Sequence, residues 1–284
     1  MTILLTGHKG FIGTNLAKKL ENHKIIGVDL KDGNNILDSN YINTLFEFYH
    51  FDAVIHLAAI AGVGYSIEHS EEVLTNNIIG FDVLAKAAIK HNVKHFIYAS
   101  SSSVYGDDGT QKSPYAVSKA TNELQAAMYS NLYPDTKFTG LRFFTVYGEG
   151  IRKDLGMYKF INAIKTNKPI YVYGDGNQSR DFTYIDDITE AINVIIESDK
   201  DWKNEVFDIG YGNNITINDT ILILKNIINP SFDNIIYEEE KPYDVKITLA
   251  NTSKLEKWFG FKPKYSIKEG LKKWLLNNNN FCTS

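Results

Sequence analysis

The first half of the chain alternates short apolar runs with helix-length amphipathic segments. The runs "TILLT", "KIIGVDL", "DAVIHLAA", "HFIYAS" and "KFTGLRFF" are β-rich and almost continuously apolar. Helical patterns fall after the first four, at 11–22, 40–49, 69–91 and 114–131. Strands separated by helices cannot close as hairpins, so they run parallel, with crossovers covering both sheet faces. The expected fold is α/β, a doubly wound parallel sheet.

Beyond Gly148 the pattern loosens into a helix at 155–166, the strand-like pieces "PIYVYG" and "RDFTYI", a helix at 186–198 and a mixed closing region. Residues 1–148 therefore read as the sheet domain, with later segments expected to return to it. Residues 149–284 read as a smaller mixed lobe that binds substrate, and the asparagine-rich tail near 277–284 as disordered.

Composition narrows the partners. The 284 residues are 43% hydrophobic, enough for a substantial core. The net charge of −4 comes from 30 basic and 34 acidic side chains without long blocks of one sign, which gives no footprint for nucleic acid. A small-molecule partner is expected. The single cysteine, Cys282, excludes an intrachain disulfide and a zinc cluster, and no metal site is expected. No leader pattern opens the chain, and its apolar stretches fall short of the roughly 20 residues a spanning helix needs. A cytoplasmic protein without membrane partners is the expectation.

Two features point to a dinucleotide. "LLTGHKGFIG" sets Gly7, Gly10 and Gly13 between a strand and a helix, with Phe11 and Ile12 at the helix start. Glycines there permit a tight turn, close approach of backbone to a pyrophosphate, and close helix packing. Asp29 ends the second strand, where a carboxylate can accept from both ribose hydroxyls and repels a 2′-phosphate. The sheet is thus Rossmann-type and the expected cofactor is NAD rather than NADP.

Chemistry is expected at the fourth strand and the helix after it. "ASSSSVYG" (99–106) places hydroxyls at a strand end, and "SPYAVSKATNEL" sets Tyr115 and Lys119 one turn apart on a helix opened by Ser113 and Pro114. Tyr133 with Lys137 and Tyr237 with Lys241 share that spacing but not that context. A free tyrosine, with a pKa of about 10, is a poor base near neutrality. A lysine ammonium and an oxidised nicotinamide nearby would favour its phenolate.

With these motifs the chain resembles the extended short-chain dehydrogenase/reductase superfamily, in its nucleotide-sugar epimerase/dehydratase branch. The resemblance includes "HLAA" with Leu57, Ala58 and Ala59 against the cofactor, and Asn77 and Gly80 of "TNNIIG". It extends to "VYG" at 104–106 and 146–148, and to "RDFTYIDD". It implies a UDP-sugar in the smaller lobe beside tightly held NAD, with Ser101, Tyr115 and Lys119 catalytic. Phe143, Phe144, Thr145, Tyr171, Val172, Tyr173 and Arg180 align with positions that contact sugar, base or diphosphate. Lys241 and Asp244 of "KPYD" join them, Lys241 standing where many members have arginine. Relatives pair the helices corresponding to 69–91 and 114–131 into a homodimer's four-helix bundle.

The branch divides at the serines. Dehydratases resemble Thr-Asp-Glu before "VYG", whereas here Ser102 and Ser103 offer no acid for elimination. What remains is oxidation and re-reduction at C4, with Tyr115 taking the O4 proton and Ser101 polarising the oxygen. "AAIAGVGYS" and "GLRFFTVYGEGIRKDLGMYKF" look most like UDP-glucuronate 4-epimerases, in which Thr145 and an arginine matching Arg152 occur. Ser102, Ser103, Thr145 and Arg152 would suit a sugar carboxylate, and the hydroxyls would equally suit a neutral O6. A UDP-glucose or UDP-N-acetylglucosamine 4-epimerase, a 4-ketosugar reductase and a non-catalytic NAD-binding protein are the alternatives.

Overall fold

The computed structural model describes residues 1–277, so Cys282 and the tail expected to be disordered lie outside the described residues. The first half runs β1 (Thr2–Thr6), α1 (Phe11–Lys19), β2 (Lys24–Val28), α2 (Ser39–Phe48), β3 (Ala53–His56), α3 (Val63–Glu68), α4 (Ser70–Leu74), α5 (Gly80–Lys90), β4 (His95–Ser101), α6 (Pro114–Leu132) and β5 (Lys137–Phe143). The remainder is β6 (Thr145–Tyr147), α7 (Gly156–Thr166), β7 (Ile170–Tyr173), β8 (Ser179–Arg180), β9 (Phe182–Tyr184), α8 (Ile185–Ile196), β10 (Asn204–Ile209), β11 (Ile215–Thr216), α9 (Ile217–Ile228), β12 (Ile235–Glu238), α10 (Ser253–Phe259) and α11 (Ile267–Asn277).

Six strands form one sheet in the order β10-β5-β4-β3-β1-β2, every pair parallel. Strand alternation sorts the apolar runs between two cores. Ile3, Leu5, Ile55 and Ile97 enter one, whereas Leu4, Val54 and Phe96 enter the other beneath α2 and α5. The first core continues unbroken into the second half of the chain, through Tyr147, Ile161, Ile188, Leu224 and Trp274.

Strand β10 adds parallel to β5 at its edge, and α8 packs against α1. Elsewhere among the described residues the second half has only two-stranded pieces, β6 with β9, β7 with β12, and β8 with β11. The carboxylate of Asp181, wholly buried, ties them to the sheet end by accepting from the N–H groups of Tyr211, Gly212 and Ala250.

The helix expected over 69–91 is interrupted. α3 starts earlier, at Val63, and a π-type turn over Thr75–Ile79 separates α4 from α5. That turn buries Asn77, whose side chain accepts from the Ile60 N–H at 2.9 Å and donates to the Ile60 carbonyl at 3.1 Å. An extra residue in the turn is the cost of placing an amide where it can hold the loop after β3. No helix among the described residues is long and apolar enough to cross a membrane.

His56 and His95 are buried in β3 and β4, bonded to the hydroxyls of Thr6 and Thr139 at 2.8 Å each. Burial pushes both rings down from 6.5 to about 3. The native state keeps them neutral where the unfolded chain takes up protons, so stability is lost as pH falls from about 6.5 toward 3. Each ring should contribute roughly 1.4 kcal/mol per pH unit within that window. Urea midpoints measured downward from neutrality check this, and His95→Gln should make the fall shallower.

Candidate active site

Two adjoining cavities open at the carboxyl ends of the sheet strands, where doubly wound sheets bind ligands. The first, about 670 Å³, runs from Asp29 and Lys31 past Gly10 to Ala58 and Asn76. The second, about 440 Å³, holds Ser101, Tyr115, Lys119, Phe144 and Thr145. Gly7, Gly10, Phe11, Leu57, Ala59 and Arg152 line both, which makes them one continuous cleft.

The first cavity has the form a dinucleotide needs. Gly7 has φ +73°, and a Cβ there would lie 2.7 Å from the Ala58 nitrogen; one on Gly13 would lie 2.1 Å from the Gly7 carbonyl. Only glycine lets α1 settle this closely onto the loop, and Gly10 leaves the helix N-terminus without a side-chain cap. Asp29 accepts the Lys9 and Lys31 N–H groups at 2.9 Å, one on each oxygen, and keeps lone pairs for two ribose hydroxyls. These residues fit NAD. Asn77 does not line the cavity: its amide is spent on Ile60 and Ser118, and the neighbouring Asn76 lies in the wall instead.

The second cavity gathers the reactive groups. Helix α6 starts where Ser113 accepts the Ala116 N–H at 3.1 Å, with Pro114 in the first turn. This sets Tyr115 in the same cavity as Ser101 at the end of β4. Ser101 Oγ accepts from the Ser103 hydroxyl at 2.9 Å and the Ser103 N–H at 3.2 Å. Ser102 and Ser103 begin a 3₁₀ turn over Ser102–Val104, facing the same cleft.

The charges are distributed differently from the sequence-based expectation. Burial pushes the Tyr115 phenol up, opposed by the Ser101 hydrogen bond and the Arg152 guanidinium. Lys119, expected to act directly on the phenol, has its ammonium 5.9 Å from the Tyr115 ring centre and donates to the Ala99 carbonyl at 2.8 Å. Burial brings it down to about 8, and it in turn helps keep His56 neutral. Arg152 is not a solvated loop residue. It grips Asp154 through Nε at 2.9 Å and Nη2 at 2.5 Å, and Nη2 reaches the Ala61 carbonyl at 3.1 Å.

Phe143, Arg180 and Asp244 complete the second cavity, with Arg180 paired to Asp244 at 2.5 Å. Four expected contacts line neither cavity. Val172 is buried, Tyr171 and Tyr173 are exposed on alternate positions of β7, and the Lys241 ammonium lies 4.5 Å over the Tyr173 ring.

Sequence reasoning missed a network behind the serines. Glu123 accepts from Ser100 at 2.5 Å and from Arg142 Nε and Nη2 at 2.9 and 2.7 Å. Arg142 also donates to the Tyr105 hydroxyl at 2.6 Å, which donates to Asp208 at 2.7 Å. The one available signal was that Glu123 lies a further helical turn beyond Tyr115 and Lys119.

Gly13→Ala should displace α1 from the glycine loop and cost at least about tenfold in NAD affinity, a loss of 1.4 kcal/mol or more. Calorimetric titration of NAD into the variant, with circular dichroism to confirm the fold, measures this.

A sequence model described as the NAD dependent epimerase/dehydratase family matches residues 3–210. A UDP-glucuronate 4-epimerase of Thermodesulfobacterium geofontis is 38% identical over 270 residues, covering 91% of this chain and 80% of the relative. Among solved structures, the UDP-glucuronic acid 4-epimerase of Bacillus cereus with UDP-glucuronic acid and NAD superposes with TM-score 0.90 at 30% identity, covering 96% of this chain and 98% of that one. A UDP-glucose 4-epimerase from Thermotoga maritima with UDP-glucose gives TM-score 0.91 at 29% identity, covering 97% and 98%. A Rossmann cleft, a serine-ended β4 and a Tyr–Lys helix occur here in a chain that belongs to the NAD dependent epimerase/dehydratase family.

Proposed function

We propose that the protein is an NAD-dependent nucleotide-sugar 4-epimerase acting on UDP-glucuronate through a 4-keto intermediate. The observation that carries this reading is the Ser101–Tyr115 pair beside a serine turn that holds no carboxyl group. NAD, when bound, supplies reversible acceptance of a hydride. Tyr115 takes the O4 proton as C4 is oxidised and returns it when the ketone is reduced on its other face. Ser101, oriented by Ser103, polarises O4 in both directions. Arg152 provides the positive field that an otherwise unfavourable buried phenolate needs, and Lys119 braces the start of α6 through the Ala99 carbonyl. Elimination at C5 and C6 would need an acid that the serine turn lacks.

The acidic sugar is supported by the relatives named above and by Ser102, Ser103, Thr145 and Arg152 in the cleft. A neutral UDP-glucose or UDP-N-acetylglucosamine is the second reading, favoured by the Asp154 carboxylate, which already neutralises Arg152. A homodimer through α5 and α6 belongs to the same proposal. Val117, Leu124, Met128 and Leu132 leave an apolar stripe exposed along α6, with Leu124 71% exposed.

Anomeric-proton NMR of the protein incubated separately with the three UDP-sugars should show conversion of UDP-glucuronate. Conversion of the neutral sugars alone would select the second reading. Tyr115→Phe should retain NAD and lose activity by about 10²–10⁴-fold. Light scattering should give twice the chain mass, and Leu124→Glu should halve it.

A further inference from the structure

The adenosine end of the first cavity is more heavily charged than a pyrophosphate loop requires. His8 and Lys9, both within "GHKG", turn to one carboxylate. His8 Nε2 lies 3.3 Å from Asp32 Oδ2, and the Lys9 ammonium is ion-paired with Asp32 Oδ1. Lys31 stands on the other side, its ammonium on the Lys9 carbonyl at 3.0 Å. Two lysines thus flank Asp29 in the cavity wall, beside the place of the ribose hydroxyls. Such a wall, left uncompensated, is what a 2′-phosphate binds, because ammonium groups pair strongly with phosphate oxygens.

Asp32 removes that option. It is held in place by the turn Leu30–Asp32, where its N–H donates to the Asp29 carbonyl at 2.9 Å, and it holds the Lys9 ammonium in an ion pair. The Lys9 side chain is 45% exposed, and an ion pair that open to water adds little stability. Its consequence is electrostatic.

We propose that Asp32 is a second selectivity carboxylate for the cofactor: Asp29 binds the ribose hydroxyls, and Asp32 pairs with Lys9, so that of the two lysines flanking Asp29 a 2′-phosphate would meet Lys31 without Lys9. The two acids act by different means. Loss of Asp32 leaves the ribose contacts intact and opens the wall to NADP.

The test uses purified holoprotein exchanged against mixtures of NAD and NADP, with the bound dinucleotide released by denaturation and identified by chromatography. The wild-type protein should carry NAD. Asp32→Asn should move the NADP-to-NAD affinity ratio about tenfold toward NADP, the scale of one charge-assisted phosphate contact. Lys9→Met in the Asp32→Asn background should reverse the gain. An unchanged ratio in Asp32→Asn, an equal loss of both cofactors, or a gain that survives Lys9→Met overturns the proposal.

Discussion

The seating of α6 across the end of β4 is the constraint on which the site depends. It buries Lys119 to 2% exposure, an expensive position for a charge unless it is hydrogen-bonded, and the Ala99 carbonyl supplies that partner. The same helix reaches Ser100 through Glu123 and the Asn77 carbonyl through Asn122. With three polar anchors along one face, α6 cannot slide or rotate without stranding a buried group. Tyr115 is thereby fixed in the cavity that Ser101 lines, before any ligand arrives.

The substrate side is coupled to this frame by carboxylates. Asp208 takes the Tyr105 hydroxyl on one oxygen and the Asn251 N–H on the other, while Asp181 gathers three backbone N–H groups at the end of β10. Asn15 of α1 donates to the Glu149 carbonyl, so the cofactor helix also touches the loop that carries Arg152. Together with the shared core, these bonds make the second half of the chain an extension of the sheet. Arg152 reaches from that loop to the Ala61 carbonyl, where its guanidinium opposes the burial of the Tyr115 phenol.

Legibility differed with the range of the interaction. The parallel sheet, the glycine loop, Asp29 and the Tyr115–Lys119 helix were readable because each rests on short spacing, and local backbone rules govern short spacing. The serine strand end was readable for the same reason. The break in 69–91 was not, since an amide at Asn77 signals nothing until Ile60 is beside it. Nor was the commitment of Arg152 to Asp154 and Ala61, or the separation of Tyr171, Tyr173 and Lys241 from the cleft.

By itself, then, the sequence determined the fold class, the cofactor type and the order of the candidate groups along the chain, because these depend on residue type and local order. Tertiary structure decided which charges face one another. It turned Lys119 onto the Ala99 carbonyl, set Arg152 rather than Lys119 against the burial of Tyr115, and gave Asp32 to Lys9 and His8. Electrostatic partners are chosen by distance and burial in the folded chain, and neither is written in the spacing of residues along it.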